Sequence, residues 1–396
     1  MAAILIGLIC FILVILSVGS VSALFLFLLE KASDFFLTHA HLILLLPLLG
    51  LVTGVAYWIF GKKIPSTKKI LHELSGEALA LRPFVTAGMI FTFTVLSQVF
   101  GASTGRESTA VQFGAALGDF WRDVFAKKLK SLRFSRQAYL RSGLAAGFGA
   151  VFGVPWAGTL FALEVTPNRR WAFRYLPLCW ISSFAAHWTA LWWGAHHKVY
   201  PAFPVLRSDL LLIAKWTCLG IAFGLMAKAF VFLLQSLEKY VFGRIPFPWL
   251  RPAVGGALVM GLTLLFKDPR YNGLGVPLIS EALNGQAKSL DFAWKSLFTL
   301  LSSSSGLKGG EVTPLMAVGA SLGAVLAPWL SLPIVYSAGL GLIAVFASAS
   351  HIPWTGAVMA WEFFGFEAFL PAFVVCWFGR RVLGLHGLFA SRPPEE

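Results

Sequence analysis

Long apolar runs separated by short polar connections dominate the chain. Four of the longest extend from Ala3 to Leu29, His41 to Phe60, Leu210 to Leu234 and Gly339 to Phe364. Because about 20 apolar residues are enough for a helix to cross a bilayer, these runs predict membrane helices. The first run has no basic segment before it and no obvious cleavage site after it, so we expect a membrane helix there rather than a removable signal peptide.

Two glutamates interrupt this apolar sequence in similar surroundings. Glu107 lies in the run GREST at 105–109, and Glu311 lies in GGEVTP at 309–314. Each is followed by a helix-compatible run that opens with small or hydroxyl residues. A carboxylate at membrane depth is costly and usually marks an ion or proton path. Unpaired N–H groups and positive partial charge at a helix start favour an anion as the partner.

The chain also repeats itself at a separation of about two hundred residues. Pro155-Trp156 recurs as Pro353-Trp354, and the run GAALG at 114–118 recurs as GASLG at 319–323. Two matches in the same order indicate a duplication, and duplicated transporters often place their site on broken helices at the repeat interface. Glycine-rich breaks are predicted at three places, which are Gly101 to Gly105, Ser302 to Gly310 and Tyr271 to Pro277.

Composition and charge support a membrane protein. Of the 396 residues, 57% are hydrophobic and only 13% are charged, whereas about 25% are charged in a soluble domain. The net charge of +14 would suggest nucleic acid in a soluble protein. Here the basic residues cluster between apolar runs, which favours the positive-inside rule, membrane lipid as a partner and no nucleic acid. We expect a multi-pass protein in the cell (inner) membrane, with three basic groups facing the cytoplasm. The groups are Lys62, Lys63, Lys68 and Lys69; Arg122, Lys127, Lys128, Lys130, Arg133, Arg136 and Arg141; and Arg380 and Arg381.

The sequence lacks the motifs of an enzyme site. The four cysteines lie in apolar sequence without metal-ligand spacing, so we expect core thiols, no metal and no cofactor. A membrane-embedded hydrolase using Glu107 and Glu311 is disfavoured, because the chain has no HExxH motif and no GxSxG element preceding a base. We therefore expect a transport protein and not an enzyme.

The glutamate runs, the Pro-Trp runs and the segment from Tyr271 to Pro277 resemble the CLC family of chloride channels and anion/proton antiporters, from about Ile64 to Ser391. The resemblance implies an all-α integral membrane protein, with a CLC-type inverted repeat of many tilted and broken helices. It implies a single transport domain over 1–396, with half-repeats 1–205 and 206–396 and no soluble regulatory domain. It also implies a homodimer in which each subunit has its own anion path.

The GGEVTP run is similar to the bacterial branch of the family that exports fluoride, since ordinary members have an aromatic-containing GxFxP there. The resemblance implies a fluoride/proton antiporter in which Glu107 is the gating glutamate and Glu311 belongs to a second acidic motif. The anion-binding positions implied, from the motifs and their surroundings, are Gly105, Arg106, Ser108, Thr109, Gly309, Gly310, Val312, Thr313, Phe389 and Lys68.

Three positions depart from the family's pattern and keep alternatives open. Ser108-Thr109 replaces glycine followed by proline or threonine, Lys68 and Lys69 stand where the fluoride branch has uncharged residues, and Phe389 replaces a tyrosine whose hydroxyl lines the path. The alternatives are a chloride/proton antiporter or passive chloride channel of the same fold, and a scaffold that no longer transports. The two lysines either line the path or form a solvated cytoplasmic pair.

Overall fold

A computed structural model describes residues 2–61, 70–71, 83–126, 135–165, 173–206, 209–384 and 387–389. Within these ranges the protein has fifteen α-helices and no named β-strand. The all-α fold predicted from the sequence is therefore confirmed. Breaks at glycine and proline keep many of the helices short.

Seven of the described α-helices precede residue 206. They are α1 (Ala2–Thr38), α2 (Leu46–Phe60), α3 (Pro83–Val99), α4 (Glu107–Ala126), α5 (Arg136–Phe152), α6 (Pro155–Glu164) and α7 (Leu176–Trp192). Eight follow it. They are α8 (Leu210–Ser236), α9 (Arg251–Phe266), α10 (Val276–Leu283), α11 (Asp291–Ser305), α12 (Val312–Leu326), α13 (Ile334–Ala349), α14 (Pro353–Phe364) and α15 (Phe369–Leu383).

Among the described residues, four helical stretches are long and apolar enough to cross a membrane, and they are Gly7–Thr38, Ala40–Phe60, Leu210–Arg244 and Pro248–Phe266. The first three confirm predicted runs. The predicted run from Gly339 to Phe364 was wrong as one span, because it divides into α13 and α14. Between them His351 has a φ of 60°, and Pro353, which cannot continue a helix but suits a first turn, begins α14.

The chain forms two compact units. The first comprises residues 1–30, 60–92 and 107–198, and the second comprises 31–59, 93–106 and 199–396. In the first unit the core is formed by α4, α5, α6 and α7, and in the second α12 packs on α13 and α8 on α15. The division into half-repeats at residue 205 stays a prediction.

The repeated motif makes the same helix crossing in each unit. On α4, Gly114 lies against the backbone carbonyl of Gly143 on α5, and on α12, Gly319 lies against the carbonyl of Gly341 on α13. A Cβ atom at any of these four glycines would overlap the facing carbonyl oxygen. Small residues let helix backbones approach this closely without a hydrophobic driving force between helices.

Two side chains lie elsewhere than the sequence predicted. Arg141, expected at the cytoplasmic surface, is buried, donates a 2.7 Å hydrogen bond to the Ala162 carbonyl and stacks over the Tyr175 ring. Its helix carries small residues that leave room for the guanidinium to reach a backbone acceptor. Cys218, expected in the core, is exposed on α8, whereas the other three cysteines are buried as predicted.

Candidate functional site

Two helix breaks form the centre of the candidate site in the second unit. The first lies between Val99, where α3 ends, and Glu107, where α4 begins. The second runs from Gly306 to Glu311, between α11 and α12. It is shorter than predicted because Ser302, Ser304 and Ser305 remain in α11, where their hydroxyls bond carbonyls three or four residues earlier. Gly306, with a φ of 96°, then ends the helix.

The two breaks are joined by their backbones. Gly105 and Gly310 form an isolated antiparallel bridge in which each N–H donates to the carbonyl of the other. Beside them Gly309 has a φ of 144°, and a Cβ there would overlap the Thr104 side chain. Glycine at position 309 is therefore needed for this close pairing, both for its backbone conformation and for the space that a side chain would take.

A polar stripe on α11 supports the first break. Lys295, Thr299 and Ser302 are spaced at i, i+4 and i+7, which places them on one face of the helix. The Lys295 ammonium donates to the Ser103 hydroxyl at 2.9 Å, and that hydroxyl bonds Thr299 at 2.9 Å. The backbone N–H of Ser103 donates to Ser302 at 3.1 Å. One residue of the break is thus held by three side chains.

The same ammonium binds the turn before α10. It donates to the carbonyl oxygens of Tyr271 at 3.0 Å and Gly273 at 2.7 Å. Gly275 has a φ of 84°, and a Cβ there would press on the lysine side chain. The third predicted break is therefore confirmed between α9 and α10, and Lys295 links it to the first.

Two amides complete the support of the first break. Gln98 donates to the Thr104 carbonyl at 2.7 Å, and Asn272 donates to the Gly101 carbonyl at 2.7 Å. Both amide side chains are buried. Backbone carbonyls at membrane depth need such donors, because no water is available to them in the bilayer core.

The predicted glutamates open their helices in slightly different ways. Glu107 is the first residue of α4 and is 2% exposed, and Ser108 and Thr109 after it are buried. Glu311 is half-buried and immediately precedes α12, which begins at Val312. Both positions place a carboxylate where helix N–H groups lack partners within the helix.

The structure brings together only part of the predicted anion-binding set. Within the second unit Gly105 and Arg106 lie with the run 309–313, whose Val312 and Thr313 are buried at the start of α12. Phe389 is half-buried, and the N–H of the adjacent Leu388 donates to the Ala349 carbonyl at the end of α13. Lys68 lies outside the described residues, as does Lys69, so their place in the path stays a prediction.

Two basic residues of this region were not predicted from the sequence. One is Lys295, for which the i, i+4, i+7 spacing of polar residues was an available signal. The other is Lys308, whose ammonium lies 4.0 Å from the centre of the Tyr57 ring and interacts electrostatically with Glu311. A cation held on an aromatic face beside a carboxylate gives this side of the second break fixed charges of both signs.

Comparisons with known proteins agree on one family. Residues 56–384 match a family model described as voltage gated chloride channel. A chloride/fluoride channel protein from Pseudomonas syringae pv. tomato is 37% identical over 386 residues, which are 96% of this chain and 84% of that protein. The crystal structure of a CLC-type fluoride/proton antiporter superposes with a TM-score of 0.90 at 29% identity, covering 97% of this chain and 96% of the other. A slow cyanobacterial chloride/proton antiporter shares the fold, with a TM-score of 0.81 at 20% identity, covering 96% of this chain and 94% of that one.

Proposed function

Because the chain belongs to the CLC family, we propose that it moves inorganic anions across a membrane and that it exports fluoride in exchange for protons. The observation that carries this proposal is the backbone pairing of Gly105 with Gly310, since each glycine belongs to a break that leads into a helix headed by a glutamate. The similarity to a fluoride/proton antiporter across nearly the full length of both chains supports fluoride as the anion.

The residue types suit a small, strongly hydrated anion. Fluoride gives up its water only where donors replace it, and backbone N–H groups at helix starts are such donors. Val312 and Thr313 begin α12, and the Thr313 hydroxyl adds a side-chain donor beside them. Ser108 and Thr109 offer the same groups at the start of α4. We assign these residues to fluoride binding.

Proton exchange is assigned to Glu107. Its ionised carboxylate is an anion tethered at the head of a buried helix, so it competes with a free anion for the same donors. Protonation removes that charge and allows the free anion to take its place. Desolvation and a neighbouring anion both favour the neutral carboxyl, which makes a proton cycle accessible. Each anion that enters is thereby linked to a proton on Glu107.

Anion exchange in proteoliposomes tests the proposal. Vesicles loaded with fluoride or with chloride are diluted into anion-free medium, and anion efflux is recorded together with the internal pH. We expect fluoride efflux to be accompanied by proton uptake, and chloride efflux to be much slower. Equal or faster chloride movement would replace fluoride by chloride as cargo, and anion flux without a pH change would make the protein a passive channel. A protein that moves neither anion would be a scaffold of the same fold.

A further inference from the structure

Lys295 is a buried cation with neutral partners. It is 0% exposed, and its ammonium donates to one hydroxyl and to backbone carbonyls at distances of 2.7 to 3.5 Å. Over the part of the chain that the structure describes, no carboxylate pairs with it. Buried charges in proteins are normally paired with an opposite charge, because an isolated one is costly. The positive charge of Lys295 therefore remains uncompensated at membrane depth.

The geometry places this charge beside the paired breaks. The ammonium bonds Ser103, which precedes Gly105 by two residues. Two residues span at most about 7 Å of extended chain, and the Ser103 side chain with its 2.9 Å bond to the ammonium adds to this, so the charge lies roughly 12 Å or less from the Gly105 backbone. In a medium of low dielectric constant, salt screens a charge at this distance only weakly. The positive charge of Lys295 would therefore attract an anion near Gly105 and Gly310.

The same contacts make Lys295 a link between two breaks. Its ammonium holds the hydroxyl of Ser103 from the first break and the carbonyls of Tyr271 and Gly273 from the turn before α10. Carbonyl oxygens carry negative partial charge, which repels an anion, and here they are engaged by the ammonium instead. The Lys295 side chain thus holds the backbone of both breaks and offsets the negative partial charge of the carbonyl oxygens that it binds.

We propose that Lys295 is a positioning residue that also sets anion affinity: it holds the break at 101–105 in place, and its unpaired charge attracts the anion to the glycine pair. The part that concerns affinity rests on the proposed transport function. The part that concerns the break does not, because it follows from hydrogen bonds within one compact unit. Two measurements separate the parts.

The test compares Lys295→Gln with Thr299→Val. The first keeps hydrogen-bond donors but removes the charge, and the second removes a hydroxyl that bonds Ser103 but keeps every charge. Fluoride and chloride dissociation constants are measured by titration calorimetry, and amide hydrogen exchange is followed at residues 101–105. We expect Lys295→Gln to weaken anion binding by about tenfold, as the loss of a unit charge about 12 Å away would at an effective dielectric constant of ~20. Thr299→Val should weaken it by less than about threefold, and both variants should speed exchange.

Each outcome bears on one part of the proposal. Equal losses of affinity in the two variants would overturn the role of the charge, because Thr299→Val keeps the charge. Lys295 would then act only by supporting the break at 101–105. Parent affinity in Lys295→Gln would overturn it as well. If Lys295→Gln does not fold, Ser103→Ala cuts the same link with the lysine retained, and unchanged exchange at 101–105 in that variant would overturn the positioning role.

The parent protein separates this proposal from the transport function. If the parent binds neither anion, the proposed function fails, and with it the affinity part of the inference. Exchange at 101–105 in Ser103→Ala then still decides whether Lys295 positions the break.

Discussion

A glutamate that opens a buried helix experiences two opposing effects. Glu107 is the first residue of α4, and the positive end of the helix dipole favours a negative charge there. The side chain is 2% exposed, so little water is available to stabilise that charge. This position is the reason for assigning Glu107 the proton-carrying role in the proposed function. Glu311, half-buried and next to Lys308, is held in a more polar setting.

Replacing Glu107 by glutamine tests this role directly. We expect Glu107→Gln to abolish proton-coupled anion movement, because the amide keeps the shape of the side chain but cannot cycle a proton. The variant should still fold and keep its oligomeric state. Glu238→Gln, at an exposed position near the end of α8, is the matched control and should retain coupling. Anion efflux and proton uptake in the same vesicles measure both, and unchanged proton uptake in Glu107→Gln would remove this residue from the mechanism.

Helix crossings at glycine pairs determine how closely α12 and α13 pack. Gly319 and Gly341 each lie against the other's carbonyl. Replacing a helical glycine by alanine normally stabilises a helix by about 0.5–1 kcal/mol. At this crossing the added methyl group would overlap backbone atoms, and overpacking typically costs about 1–3 kcal/mol. The steric effect therefore outweighs the gain in helix propensity.

We expect Gly319→Ala to lower the thermal stability of the purified protein in detergent by several degrees. Gly261→Ala is the control, because Gly261 is an exposed residue of α9 and a Cβ there would meet nothing within 4 Å. The control should be as stable as the parent or slightly more stable. If Gly319→Ala melts at the same temperature as the parent, α12 and α13 can move apart without a loss of stability.

An ionic cluster fixes the start of α11. Arg270 bonds both oxygens of Asp291 at 3.2 and 2.6 Å, and Tyr271 donates to the same carboxylate at 2.9 Å. Asp291 is 0% exposed at its side chain, and Arg270 also pairs with Glu281. Because Tyr271 belongs to the turn that Lys295 holds, this cluster and the buried lysine support the same segment from two sides.

We expect Arg270→Leu to destabilise the protein strongly, by about 3–5 kcal/mol, since it leaves the buried Asp291 carboxylate without its cation. Restoring neutrality in the double variant Arg270→Leu/Asp291→Asn should recover part of that loss. Arg244→Leu, at an exposed position, controls for the loss of a surface arginine and should change little. Melting curves of the four proteins are the measurement, and a mild effect in Arg270→Leu would mean that Tyr271 and the backbone suffice to hold Asp291.

The sequence predicted those elements that depend on residues lying close together along the chain. Glycines at 101 and 105 predicted the first break, and apolar length predicted three of the four candidate spans. Hydropathy did not divide 339–364, because the two polar residues Ser350 and His351 interrupt the apolar run too briefly to end it. The second break was predicted too long because serine hydroxyls can bond their own helix. The spacing of polar residues on α11 was a local signal for Lys295, but its partner Ser103 lies 192 positions away, so the contact itself could not be predicted.

The assembled protein is integral to the membrane, and its described residues include four stretches that can cross a bilayer. We propose that two copies associate in the cell (inner) membrane, as the family resemblance implies, and that each keeps its own anion path. Large apolar side chains exposed on these helices face either lipid or the second copy. Oligomeric state is therefore a separate question from transport by one subunit.

Single-molecule photobleaching in lipid bilayers tests the dimer. With one fluorophore on each subunit and near-complete labelling, we expect most spots to bleach in two steps. A dilution series in lipid provides the control, because a dimer formed only by crowding would fall to one step as the protein is diluted. One-step bleaching at every dilution would establish a monomer.

The glycine crossings have a consequence for the evolutionary record of this fold. At Gly114–Gly143 and Gly319–Gly341, both partners are already the smallest residue, so a larger residue on one side cannot be compensated by a smaller one on the other. Selection is therefore expected to remove each single substitution at these positions, and compensating pairs of substitutions are not expected. Methods that infer contacts from covariation among homologues should give little signal at these two helix crossings, even though the close backbone contact constrains the sequence there.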